Sequence, residues 1–152
     1  MIRTLLVILV LGVVIVACKK GKFETKPTLK IKSMNGNVIP VGSSLQIDFE
    51  FTDKEGDVDN NIFVKKIRLN KLKVPTIRDT FSLPVPDFPS NTKGTIQVLM
   101  DNAFYLASAA NPPKDPATGK SVSDTLQLQF VLRDRAGNAS DTASTGQVIV
   151  LR

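Results

Sequence analysis

From Thr28 onward the chain alternates apolar and polar residues with a period of two. Leu45, Ile47, Phe49 and Phe51 interleave with Gln46, Asp48, Glu50 and Thr52. Leu126, Leu128, Phe130 and Leu132 interleave with Gln127, Gln129 and Arg133, and Leu29 and Ile31 sit between Thr28, Lys30 and Lys32. Successive side chains of a strand point to opposite faces, so each segment predicts a strand with one buried face. Weaker alternation predicts strands at 62–69, 74–81, 95–100 and 147–151, and a short one at 38–41. Turn-forming clusters separate them: Asn35-Gly36-Asn37, Val41-Gly42-Ser43 and Arg135-Ala136-Gly137-Asn138. A proline cannot donate to a ladder, so Pro84, Pro86 and Pro89, and later Pro112, Pro113 and Pro116, mark loops or edge crossings. Only 102–110 has any helical character, enough for one or two turns.

Many short strands with regular turns and no internal repeat predict an all-β fold, a single immunoglobulin-like β-sandwich of about seven or eight strands over 28–152.

The first eighteen residues follow a different pattern. Arg3 precedes an apolar run from Leu5 to Ala17, interrupted only by Gly12, and charge returns at once with Lys19, Lys20 and Lys22. The run is too short for a bilayer core, which needs about 20 residues. It fits the apolar region of a secretory signal, usually ~7–15 residues. Its end, Ile15-Val16-Ala17-Cys18, resembles the lipobox of bacterial lipoproteins: a branched apolar residue, a tolerant position, a small residue and Cys. That resemblance implies a signal peptide over 1–17, removed before Cys18, and a Cys18 thiol carrying diacylglycerol, with the new amino group acylated. A thiolate is a good nucleophile near neutral pH, and two or more acyl chains anchor stably where one is marginal. Residues 18–27 then read as the lipidated Cys and a basic tether, whose lysines either stay solvated or rest on anionic headgroups.

Composition narrows the chemistry. Among 152 residues there is one Cys, no His, no Trp and one Tyr. With Cys18 acylated no thiol is left for a disulfide or a nucleophile. Without His, triads, His-based general base catalysis and the usual zinc sites are excluded. The net charge of +6 does not point to nucleic acid, because the basic residues are not interleaved with aromatics.

Two further stretches carry a resemblance. Phe130-Val-Leu-Arg-Asp134-Arg-Ala-Gly137-Asn138-Ala-Ser-Asp141, followed by Gln147-Val-Ile-Val-Leu151, resembles the closing hairpin of bacterial immunoglobulin-like domains. Phe49-Glu-Phe51-Thr-Asp53-Lys-Glu55-Gly56-Asp57 resembles the strand-to-loop motif of immunoglobulin-like envelope lipoproteins of Bacteroidota. Both imply fold and lineage, and neither implies an activity.

One constellation could hold chemistry. Asp48, Glu50, Asp53, Glu55, Asp57 and Asp59 crowd residues 48–59, with Gly56 turning the loop. In an immunoglobulin-like sandwich the loops after the second and sixth strands lie at the same end. Asp53, Glu55, Asp57 and Asp59 would then face Asp134, Asn138 and Asp141, a set of oxygen ligands suited to Ca²⁺. Against this, Asp, Asn and Gly are good turn formers that cap their own backbone. The spacing is not that of an EF-hand, since Gly56 and Val64 fall at the wrong positions. The following segment inverts the charge, with Lys65, Lys66, Arg68, Lys71, Lys73 and Arg78. It predicts acid–base pairing across neighbouring strands, an edge strand guarded by Lys65 and Lys66, or a basic strip for an acidic glycan or protein.

The sequence thus predicts a lipid-anchored module of the bacterial cell envelope, structural or protein-binding and without catalysis, with its acidic loop end open to two readings, Ca²⁺ stiffening or plain turn chemistry. Its partners would be the membrane, through the anchor, and an envelope protein or a glycan, with no nucleic acid. The alternative is a carbohydrate-binding lipoprotein of a glycan-uptake system, for which Phe104 and Tyr105 are the candidate platform. Lys19–Lys22 favour an outer-membrane anchor and leave its periplasmic or surface face open.

Overall fold

The computed structural model describes residues 25–58, 61–70, 77–86, 90–108 and 111–152. These contain the strands β1 (Thr28–Met34), β2 (Val38–Ile39), β3 (Ser44–Thr52), β4 (Asn61–Arg68), β5 (Thr80–Pro84), β6 (Lys93–Asp101), β7 (Asp124–Arg133), β8 (Ala143–Ser144) and β9 (Val148–Val150). One turn of π-helix, Asn102–Leu106, follows β6. The strands form two sheets, ordered β1-β3-β6 and β2-β9-β7-β4-β5, with β8 also on β7. All pairings are antiparallel except β2 with β9. Consecutive strands β3 and β4 lie in different sheets, as do β5 and β6, and β6 and β7. This is the immunoglobulin-like sandwich, with β3 and β6 in the places of its second and fifth strands and β4 and β7 at the centre of the facing sheet.

The core follows the alternation. Leu45, Ile47, Phe49 and Phe51 of β3 are buried against Leu126, Leu128, Phe130 and Leu132 of β7. The rings of Phe49 and Phe130 meet edge to face, centroids 4.8 Å apart, and join the two sheets at their centre. Fully burying one such side chain stabilises by about 1.5–3 kcal/mol, so this face holds the sheets together.

Three expectations are corrected: the strand at 74–81, the edge guarded by Lys65 and Lys66, and the acid–base pairing across strands. The strand placed at 74–81 is Thr80–Pro84, and 71–76 lie outside the described residues. Arg78 has φ +50°, which no extended chain adopts, so pairing begins only after it. Phe81 and Leu83 then stand opposite Val64 and Ile62, and Pro84 ends an edge strand, where a missing N–H costs nothing. The helical segment is a single π turn, because the Ala107 amide reaches back to the Asn102 carbonyl at 2.8 Å while the Asp101 carboxylate caps the amides of Ala103 and Phe104. Residues 109–110 lie outside the described residues.

The last strand is split into β8 and β9. Between them the Thr145 hydroxyl, in place of a carbonyl, accepts the Leu128 amide at 3.0 Å. Lys65 and Lys66 guard no edge, since β4 is flanked by β7 and β5. Among the described residues the acidic strand β3 and the basic strand β4 do not pair either, since they lie in different sheets. Glu50 instead meets Lys32 of β1 at 3.5 Å, and Asp48 accepts from Ser33 and Gln97.

Candidate functional site

The loops after β3 and β7 lie at the same end of the sandwich and touch: the Arg135 amide donates to the Asp57 carbonyl at 3.0 Å. Each loop is folded by its own acidic residue. Asp53 leaves β3 with its amide bound to Thr92, and its Oδ2 accepts the Asp57 amide at 3.0 Å across a turn that Gly56, at φ +72°, makes possible. A Cβ at Gly56 would also approach the Asn91 backbone to 3.2 Å. Asp134 leaves β7, and its carboxylate accepts both the amide and the side-chain NH₂ of Asn138, at 2.7 and 2.8 Å. Gly137, at φ +89°, closes that turn.

Three of the predicted ligands are brought together. Asp53, Asp57 and Asp134 each present a carboxylate oxygen, all within 4.8 Å of one another. Asp53 and Asp134 are 2% and 0% exposed and Asp57 is half-buried. Burial pushes the Asp57 carboxyl above its ordinary value, as do the adjoining Asp53 side chain and the charges of Asp134, Asp53 and Glu55. The Oδ1 atoms of Asp53 and Asp57 are buried and have no hydrogen-bond partner among the described residues.

The other predicted ligands are placed differently. Glu55 is exposed. The Asn138 NH₂ is committed to Asp134. Asp141 is almost fully exposed and pairs with Lys26. Asp59 and Cys18 lie outside the described residues.

The predicted aromatic platform is partly covered. Phe104 is 58% exposed, but the Arg78 guanidinium lies 3.8 Å from its ring centroid and donates to its carbonyl. Tyr105 is half-buried, its ring 5.3 Å from that of Phe81.

An exposed aromatic that no sequence expectation singled out lies on the outer face of β5-β4-β7. Phe63 is 39% exposed, opposite Val131 on β7 and Ser82 on β5. With Lys65, Gln129 and Thr142 it lines an open groove of about 480 Å³. The Arg133 guanidinium stacks 4.8 Å from its ring centroid. The signal was present: with Ile62 and Val64 both inward, the residue between them must face out.

No protein family matches the chain, and no curated protein matches it. Among solved structures, a Niemann-Pick type C2 protein from Japanese carpenter ant is similar over 82% of this chain and 93% of its own, at 9% identity and a TM-score of 0.40.

Proposed function

We propose that this protein is a lipid-anchored envelope module that binds a partner protein through one face and one loop end of its sandwich, without catalysis. The observation that carries the reading is the groove around Phe63. An exposed ring beside Val131, with an arginine on it and Lys65 and Gln129 at its rim, is the composition of a protein-binding surface, where aromatic residues and Arg are enriched. Thr142, at the end of the Asp134 loop, lines the same groove, so a partner seated there also meets the loop end. The pattern ending in Cys18 supports the anchor, and Lys19–Lys22 favour the outer membrane. With no His and no thiol beyond Cys18, and no carboxylate lining the groove among the described residues, the surface is suited to binding and not to turnover.

A second reading, a glycan ligand, rests on the exposure of Phe104, which at 58% is the most exposed ring among the described residues. A photo-crosslinking residue at position 63, in cells, tests the first reading against it. Crosslinking to one protein, lost when Arg133 is also changed to Glu, supports the module. No crosslink at 63, together with glycan binding lost in Phe104→Ala, replaces it with the second reading.

A further inference from the structure

We infer that Asp53, Asp57 and Asp134 form a binding site for a single hard divalent cation, Ca²⁺, which fastens the two sheets together at this end of the sandwich. Neither the anchor nor the partner-binding face is needed for this inference.

The geometry is the first support. Oxygens bound to one Ca²⁺ at ~2.3–2.6 Å lie no more than about 5 Å apart, and one oxygen from each of the three carboxylates meets that limit, all lying within 4.8 Å. The second support is independent of the clustering. Asp53 is 2% exposed, yet its Oδ1 is buried without a hydrogen-bond partner among the described residues, and so is Oδ1 of Asp57. Buried polar atoms are nearly always paired, and an orphaned one is explained by a water or an ion. A carboxylate oxygen accepts only, and here other carboxylates crowd it, a setting in which a cation satisfies several such oxygens at once.

The chain on either side is already arranged for this. Asp53 Oδ2 is held by the Asp57 amide and both Asp134 oxygens by Asn138, so the turns fix the carboxylates before any ion arrives. Such hydrogen bonds to the ligands are the usual outer shell of a metal site. Ca²⁺ fits better than Mg²⁺, which demands near-octahedral geometry and keeps most of its water, whereas Ca²⁺ accepts irregular sets of loop oxygens. Because Asp53 continues β3 and Asp134 continues β7, one ion would bridge the two sheets, where the loops already touch through the bond from the Arg135 amide to Asp57.

The test is calorimetric titration of the full chain, purified in detergent, with CaCl₂ and separately with MgCl₂, alongside thermal melts with CaCl₂ or EDTA. Expected are one Ca²⁺ per chain and a melting temperature higher by roughly 5–10 °C at a hundredfold excess over Kd. Asp53→Asn and Asp57→Asn each weaken binding by at least ~10-fold, whereas Glu50→Gln and Asp141→Asn leave it unchanged. The proposal falls if wild-type protein gives neither heat nor a melting shift up to about 10 mM Ca²⁺, above the weakest extracellular sites. It falls equally if Mg²⁺ alone binds, or if Asp53→Asn and Asp57→Asn bind like wild type. The wild-type titration decides even where a variant does not fold. A negative result leaves the anchoring and partner-binding readings intact, since those are read by acylation and crosslinking.

Discussion

Lys66 Nζ donates to the carbonyl of Ala107 at 2.8 Å, and to that of Tyr105 at 2.9 Å, from an inward-facing position of β4. The lysine is 6% exposed, and its ammonium holds the carbonyl end of the π turn to the second sheet. Desolvation lowers its pKa to about 8; Arg78 and Arg152 act in the same direction, and Asp79 and Asp124 oppose it. Below pH 8 both folded and unfolded chains carry the proton, and the cost of burying the charge is fully present. Between about 8 and the unfolded value of 10.5 the folded state releases the proton while the unfolded state keeps it, so stability rises with pH. The gain attributable to Lys66 is on the order of 3 kcal/mol. Urea denaturation at pH 7 and pH 10 should therefore show wild type gaining on Lys66→Met over that interval. Parallel pH profiles for the two proteins would rule the mechanism out.

Asp124, 0% exposed, sits at the same end. Its Oδ1 accepts from Arg68 Nη2 at 3.1 Å, its Oδ2 accepts the Ser108 amide at 3.2 Å, and Arg152 Nη1 approaches Oδ2 at 3.6 Å. The three ionic side chains are 0, 6 and 13% exposed. Removing one partner of such a group strands the others without solvent, which typically costs about 3–5 kcal/mol. Asp124→Ala should fall in that range in chemical denaturation. Arg152→Ala should cost clearly less, because the Arg68 bond and the Ser108 bond remain.

The fold was legible because the alternation in β3 and β7 is nearly free of exceptions, and it sets both the buried face and the two-sheet packing. The meeting of Asp53, Asp57 and Asp134 was legible too, since immunoglobulin-like topology puts those two loops at one end. What could not be read is what depends on partners distant in sequence. Lys66 looks like a surface lysine until the carbonyls of Tyr105 and Ala107 are placed beneath it. Phe104 looks like an open platform until the left-handed turn at Arg78 lays a guanidinium on it. Asp141 reads as a ligand of the same cluster, but the chain beyond Asn138 turns it out to solvent beside Lys26. The strand over Thr80–Pro84 was misplaced because 74–81 alternates about as well, and only the backbone at Arg78 decides between them.

Gly94 lies opposite Phe51 in the pairing of β3 with β6, and the ring folds over it. A Cβ at position 94 would come to 2.7 Å from Cε1 and 3.0 Å from Cζ of Phe51. Phe51 is 3% exposed and packed in the core, so its ring has little room to withdraw. Gly94→Ala should destabilise by about 1–3 kcal/mol, the usual cost of overpacking. The double variant Phe51→Leu/Gly94→Ala should recover part of the loss relative to the sum of its single variants, a coupling that a double-mutant cycle of urea midpoints measures. Strictly additive effects would show that the ring does not create the constraint.

Two hydroxyls close the β7 ladder where the last strand is interrupted. Leu128 donates its amide to Thr145 Oγ1 and Leu132 donates its amide to Ser140 Oγ, both at 3.0 Å, while Thr145 and Ser140 return their own amides to the carbonyls of Leu128 and Leu132 at 2.9 Å. Thr145 and Ser140 are 3 and 6% exposed, so no water takes over when a hydroxyl is lost. Thr145→Val keeps the shape and β propensity but leaves the Leu128 amide buried without an acceptor, at a cost of about 1–3 kcal/mol. Thr145→Ser keeps the oxygen and should lose well under half as much. In hydrogen exchange the Leu128 amide should lose protection selectively in Thr145→Val and retain it in Thr145→Ser. Equal protection in both variants would mean that the hydroxyl is not the acceptor that holds this edge.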